Sequence, residues 1–346
     1  MAVGDLVKKL LGGLRPTNAP AARYAYGKVP GAGDFLRAGE RDDATNAFEA
    51  WLAKAMATAD SMRGAAFRSA YDGEQTWLLQ ARFGAPRGGR ILAGAMRTSR
   101  DAVGRRHPLV LGALLPPDGH FAAPELVPLA IAETQREALT VLDRVGGVAT
   151  SKELAARLED LRLPSLQVFD HARAGWQALL ARSATSFFHP RFPSAEQLSW
   201  AVHTFRESVT PNVSPEGTRG RPGPRPCLLL AVPGEGVPAE TAAVASRLVR
   251  LWGHVDAGDP ILVLSPTPSS RGGAPPAGLY FACGSEPPLT AFVDVVGGGA
   301  GTDTLCDLRA APRSTQGYRT ALAPGWGALL DDPRTTLGEA ISALED

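Results

Sequence analysis

At 346 residues the chain is long enough for about two domains of roughly 150 residues each. Hydrophobic residues make up 44% of it and charged residues 21%, the balance of an ordinary globular protein and not of a disordered tail. The formal net charge is +1, with arginines and acidic residues interspersed, so no basic face marks nucleic acid as a partner. Cys227, Cys283 and Cys306 lack the close spacing of a zinc site or redox motif and read as buried thiols in a reducing compartment. No apolar run is long enough to span a bilayer, and the amino terminus has neither a long apolar core nor a clear cleavage site for export. The cytoplasm is the expected location, without stable membrane insertion.

In chain order, Val3, Leu6, Val7, Leu10, Leu11 and Leu14 recur at helical spacing with Lys8 and Lys9 opposite, the pattern of a short amphipathic helix. The Pro/Ala-rich stretch from Arg15 to Arg23 reads as a tether. Gly27-Lys28-Val29-Pro30-Gly31-Ala32-Gly33-Asp34-Phe35 follows as a glycine-punctuated lead-in to a helix. Here Gly31 and Gly33 allow positive φ and close backbone approach, and Asp34 is placed to accept from the first backbone donors. Phe48, Trp51, Leu52, Ala55 and Met56 then form one apolar stripe, predicting a helix that ends near Ser61.

Trp77 to Phe83, Arg90 to Met96 and Pro108 to Leu115 read as strands, joined by links too short for a helical crossover and hence antiparallel. Helix formers dominate residues 125–143, 151–162 and 165–183, with Thr150 and Glu153 spaced as a capping box. Ser194 and Gln197 offer another ahead of Leu198, Val202, Phe205 and Val209. Residues 210–226 are rich in proline, glycine and arginine and read as a flexible insertion. Beyond them the pattern is strand (227–232), helix (239–252), strand (261–264) and strand (279–283). A helix is then expected to start at Ser285-Glu286-Pro287, and a last short one around Leu337, Ile341 and Leu344.

The segment Ser99-Arg100-Asp101-Ala102-Val103-Gly104-Arg105-Arg106-His107-Pro108-Leu109 is a polar loop running into an apolar strand. In it Asp101 closes a turn through its own side chain and Arg105, with Asp34 as a second candidate partner, clamps a carboxylate. A phosphate cradle at the earlier glycines is disfavoured, because Lys28 precedes both glycines and no Lys-Ser/Thr pair follows them. Ser99, Asp101 and His107 invite a hydrolase reading, but a triad is defined by geometry and no Gly-x-Ser-x-Gly elbow exists. The six histidines include no pair at metal-binding spacing. Trp77, Trp176, Trp200 and Trp252 are most simply core anchors. No cofactor or metal is called for.

Taken as an ordered pair, the two loops resemble the TagF (ImpM) family associated with bacterial type VI secretion. The likeness lies in Gly27, Lys28, Pro30, Gly31, Gly33, Asp34 and Phe35, in the helix with Trp51 and the strand led by Trp77, and in Ser99, Asp101, Val103, Gly104, Arg105, Pro108 and Leu109. It covers residues 24–116, with a weaker echo through Trp252, the run before Cys283, Pro288 and Phe292; His107 stands where the family usually has an aromatic residue. What the resemblance implies is a cytoplasmic post-translational repressor without catalysis that sequesters a forkhead-associated scaffold protein. The expected partner surface comprises Lys28, Asp34, Phe35, Arg37, Ser99, Asp101 and Arg105. A hydrolase or phosphatase-like accessory enzyme and a structural adaptor of the apparatus are the competing readings.

The fold class expected is α/β (α+β), a mainly antiparallel sheet flanked by helices, with a helical expansion and a Pro-rich insertion. The chain divides at the sequence level into an amphipathic segment and tether (1–23), a TagF-like amino-terminal part (24–116) and a helical region (117–209). The insertion (210–226), an α/β segment closing the TagF-like domain (227–300) and a tail (301–346) complete it. Periodicity leaves open whether the two halves share one sheet, and composition leaves open the oligomeric state.

Overall fold

The computed structural model describes residues 20–83, 90–116, 123–165, 167–192, 194–209, 228–232, 238–253, 261–267, 279–283, 287–297, 305–308, 326, 329 and 332–344. The helix read at residues 3–14 and the insertion at 210–226 lie outside them, as do Cys227 and the side chains of Trp252, Cys283 and Cys306. The elements are β1 (Ala22–Gly27), β2 (Leu36–Gly39), α1 (Asp43–Tyr71), β3 (Thr76–Arg82), β4 (Ile91–Arg97) and β5 (Leu109–Leu115), then α2 (Val127–Leu142), α3 (Ser151–Leu158), α4 (Gln167–Leu180), α5 (Ala184–Phe188) and α6 (Ala195–Val209). After these come β6 (Leu228–Val232), α7 (Pro238–Gly253), β7 (Ile261–Pro266), β8 (Leu279–Cys283), α8 (Ala291–Gly297), β9 (Leu305–Asp307) and α9 (Leu337–Ser342).

Among the described residues the strands form one nine-stranded sheet in the order β2-β1-β5-β4-β3-β7-β8-β6-β9. Every ladder is antiparallel except β6 with β9. The two halves therefore share a sheet, joined where β3 pairs with β7 in the register Leu79↔Leu264. Side chains alternate between faces, as a pleated strand requires. Tyr24, Tyr26, Trp77, Leu79, Leu92, Met96, Val110, Leu264 and Tyr280 meet α1 and α8, while Ala25, Ile91, Ala93, Leu111, Ala113, Val263 and Phe281 meet the helices that follow residue 123. Covering both faces explains why β4 and β5 read as continuous apolar runs and not as alternating ones.

The expected class is what the molecule shows, an α+β fold with a mainly antiparallel sheet flanked by helices. Four local expectations need correction. The glycine-rich stretch leads not into a helix but from β1 into β2, and β1 takes in the last two residues of the presumed tether. The Trp51 helix runs on to Tyr71 through a kink at Gly64, whose φ of 50° and ψ of −119° let the chain turn and resume helix. Glu153 does not complete a capping box, because its carboxylate takes the amide of Ala149 while Thr150 Oγ1 accepts from Glu153. The helix read to start at Ser285-Glu286-Pro287, of which only Pro287 lies within the described residues, begins instead at Ala291.

Contacts across the halves are specific. The indole Nε1 of Trp51 donates to the Pro287 carbonyl at 2.7 Å across 236 residues of sequence, and Gln75 Nε2 donates to Val296 O at 2.9 Å. They tie α1 and the turn after it to the segment around α8, so the sheet joint is backed by helix contacts on the same face. At the far end of the sheet, β2 is an edge strand of only four residues. Helix α3 leans on it with Leu154 and Leu158 buried, and Ser151 Oγ accepts from the Arg37 amide at 3.3 Å. Short edges with occupied donors resist strand addition.

Candidate functional site

The two loops singled out in the sequence lie side by side. The turn between β1 and β2 and the loop between β4 and β5 meet because β1 pairs with β5, which brings Gly27 beside Pro108 and carries the loops out at the same end of the sheet. The Ala102 amide donates to Ala32 O at 2.8 Å, and Arg105 donates from a terminal nitrogen to Gly33 O at 2.6 Å. Gly31 is required by close approach, since a Cβ there would sit 2.6 Å from Val148 O. Gly33, by contrast, faces open space and has no positive φ.

Asp101 is the hub. Its Oδ1 accepts the amides of Val103 at 3.2 Å and Arg105 at 2.8 Å, closing a tight turn that Gly104 completes with a φ of 86°. Its Oδ2 accepts from Lys28 Nζ and from Arg105 Nε, both at 2.7 Å. The side chains of Lys28 and Asp101 are 5% and 0% exposed, so this ion pair is sealed inside the loop junction. Burial opposes the charge on Asp101, but hydrogen bonds from Lys28 and Arg105 outweigh it and hold the carboxyl well below the usual range. Removing one partner of such a pair typically costs about 3–5 kcal/mol, because the other charge is left buried and alone.

A ring cluster sits beside the hub. Phe35 stacks on Tyr26 with centroids 5.3 Å apart, and the His107 imidazole meets Phe35 edge-on at 4.8 Å and Tyr26 at 5.3 Å. His107 thus fills an aromatic slot as a ring. Its Nδ1 lies 2.9 Å from Pro108 O, which assigns the proton to that nitrogen. Burial, with help from the charges of Lys28 and Arg37, pushes its pKa down to about 4. Lys28 Nζ lies 4.9 Å from the Phe35 centroid, and the Arg37 guanidinium 4.8 Å from that of Tyr26. Behind the loop, the Tyr71 hydroxyl donates to Ser99 O and accepts from Ser99 N, each at 3.0 Å, and Asp72 takes both forks of Arg106 at 2.9 and 2.6 Å.

All seven expected surface residues therefore belong to one locality, but in different capacities. Lys28 and Asp101 lie inside and position the surface; Ser99 is used through its backbone; Asp34 caps no helix and instead accepts the Phe35 amide at 2.8 Å. Phe35 is half-buried, and Arg37, Asp34 and Arg105 are exposed. Tyr26, Glu49, Tyr71 and Val103 escaped the sequence reading as parts of the site. Val103 carries the clearest signal, an aliphatic side chain in a polar loop, and it is 71% exposed at the loop tip. The hydrolase triad does not assemble, because Asp101 spends its oxygens on Lys28, Arg105 and loop amides while His107 turns to Pro108. A cleft of about 170 Å³ lies behind the loops, bounded by Val29, Tyr71, Arg97, Arg100 and Leu142, and is smaller than the ~300–1,000 Å³ of ligand pockets. No group of His, Cys, Asp or Glu among the described residues is arranged to hold a metal ion, and none of the helices described is long and apolar enough to cross a membrane.

A mainly antiparallel α+β sheet covered on both faces, with two loops joined at one end of it, is the class of protein these features define. Residues 25–161 match the model of the TagF N-terminal domain, described as type VI secretion system-associated. The match begins within β1, runs through β5 and continues across α2 and α3, the first two helices of the region read as an expansion. The chain is also similar to the crystal structure of PA0076 from Pseudomonas aeruginosa PAO1, with 20% identity and a TM-score of 0.45 over 84% of this chain and 100% of that one. No curated protein matches it.

Proposed function

We propose that the chain is a noncatalytic, cytoplasmic regulator of a type VI secretion system that represses it after translation by sequestering a forkhead-associated scaffold protein. The observation supporting this is the loop junction itself: a sealed Lys28–Asp101 pair holds two loops from distant parts of the chain together and presents Val103, Arg105, Asp34 and Phe35 outward. Buried charges that organise an exposed apolar tip suit recognition, where preorganisation lowers the cost of binding. The adaptor reading is disfavoured at the β2 edge, which is short and has the Arg37 amide occupied.

The test is Val103→Asp, which places a charge on the exposed tip without touching the internal hydrogen bonds of the loop. The variant is expected to keep the wild-type melting temperature, to bind the purified scaffold protein at least about tenfold more weakly, and to relieve repression of secretion in cells. Unchanged binding by a folded Val103→Asp protein would remove the loop tip from the interface.

A further inference from the structure

Resting on that reading, one strip of surface specifies the chemistry of the partner. From the loop junction it runs along β2 to the start of α1 through consecutive contacts: Arg105 to Asp101, Asp101 to Lys28, Lys28 over Phe35, Phe35 on Tyr26, Tyr26 under Arg37. It ends at Glu49, whose Oε2 lies 3.4 Å from a terminal nitrogen of Arg37 and 3.2 Å from one of Arg41, while its Oε1 accepts from Tyr24 at 3.1 Å. The charges are segregated by depth. The anchoring carboxylates are inside, Glu49 at 7% and Asp101 at 0% exposed, whereas the guanidinium side chains of Arg37, Arg41 and Arg105 are about half exposed at 47%, 47% and 56%.

We infer that this strip binds an acidic segment of the partner polypeptide, with carboxylates forked by Arg37, Arg41 and Arg105 and an aliphatic side chain seated against Val103. Each arginine is tied to a buried carboxylate and spends only part of its five donors: Arg37 gives one terminal nitrogen to Glu49, Arg41 gives one to Glu49 and Asn46, and Arg105 gives Nε to Asp101 and one terminal nitrogen to Gly33, with Asp34 3.9 Å away. Guanidinium groups are planar forks that match carboxylates in two-pronged geometry, and that of Arg37 lies over a tyrosine ring. A broad anionic surface fits less well. Asp34 stands 80% exposed within the strip and Glu40 53% exposed at its flank, so a membrane or a nucleic-acid backbone would meet like charge between the arginines. A polypeptide places its acidic side chains one at a time and avoids them.

Gly33 gives a clean probe, because a Cβ there has nothing within 4 Å and its φ is ordinary. Binding of the full chain to the purified scaffold protein is measured by calorimetry for wild type, Gly33→Gln, Gly33→Glu and Gly33→Lys. The expectation is a Kd raised about tenfold by Glu, nearly unchanged by Gln, and equal or lower with Lys, with the differences shrinking as salt screens the strip. Equal weakening by Glu and Lys, or no change with Glu, would overturn the inference while leaving the scaffold interaction standing.

A second arm does not depend on the scaffold protein. Isotope-labelled full chain is titrated with a soluble peptide of alternating Glu and Leu, with its Gln/Leu counterpart, and with phosphatidylserine vesicles. Shifts at the side chains of Arg37, Arg41, Arg105 and Val103 with the Glu peptide alone support the inference even if the scaffold protein fails to bind, an outcome that would sink only the proposed partner. Shifts elsewhere, no shifts, equal shifts with the Gln peptide, or vesicle binding lost on Gly33→Glu would overturn it.

Discussion

His107 shows how one side chain can serve by shape while its chemistry is suppressed. Set edge-on against the stacked rings of Tyr26 and Phe35 with Lys28 nearby, it remains neutral in the folded chain because a charged imidazole there would be desolvated and repelled. Its pKa falls from 6.5 to about 4 on folding, so the unfolded chain binds the proton first and stability declines as pH drops through that window, by about 3 kcal/mol in all. Asp101, whose carboxyl is also depressed, adds a loss of the same sign at still lower pH. Replacing the imidazole by a ring that cannot protonate, His107→Phe, is expected to flatten urea-unfolding stability between pH 6.5 and about 4 while leaving the acid loss due to Asp101. A pH profile identical to wild type would show that His107 is not the group responsible. The Asp101–Arg105 pairing was legible in sequence because the partners stand only four positions apart in one loop. Lys28 was not legible as the other partner, since it stands 73 positions away and only the pairing of β1 with β5 closes that distance.

At the level of elements, readability tracked the number of faces each element buries. Strands β3, β4 and β5 announced themselves through apolar runs bounded by turn residues, whereas β2 is Leu-Arg-Ala-Gly, short and exposed on one side, and carries almost no pattern. Helix α1 misled at its far half: Gly64 among Arg, Ser and Ala looks like a stop signal, yet Phe67 and Tyr71 beyond it are buried and draw the chain back into helix. Tertiary burial overrode local propensity there. The backbone at Gly64 is one that an L side chain adopts only under strain, so Gly64→Ala should cost about 1–3 kcal/mol in denaturant unfolding with an unchanged m-value. A neutral effect would mean that the kink relaxes easily and does not set the position of Tyr71 under Ser99.

For the whole molecule, the decisive fact is that β3 is an interior strand only because β7 covers it. Sequence periodicity had no means of revealing this, as the pairing joins residues nearly two hundred positions apart and depends on Trp51 and Gln75 reaching the segment around α8. A chain ending at residue 209 would expose the ladder side of β3, with Trp77 and Leu79 left uncovered where β7, β8 and α8 had been. Such a fragment is expected to elute as aggregate on size exclusion, whereas a monomeric, folded fragment would make the first half an independent domain. At the opposite end, the Ser151 hydroxyl already occupies the outward amide of Arg37. A visiting chain there finds a four-residue edge with one amide already taken, so its selectivity falls mainly to individual side chains, and each letter of that code can be exchanged without rewriting the sheet beneath.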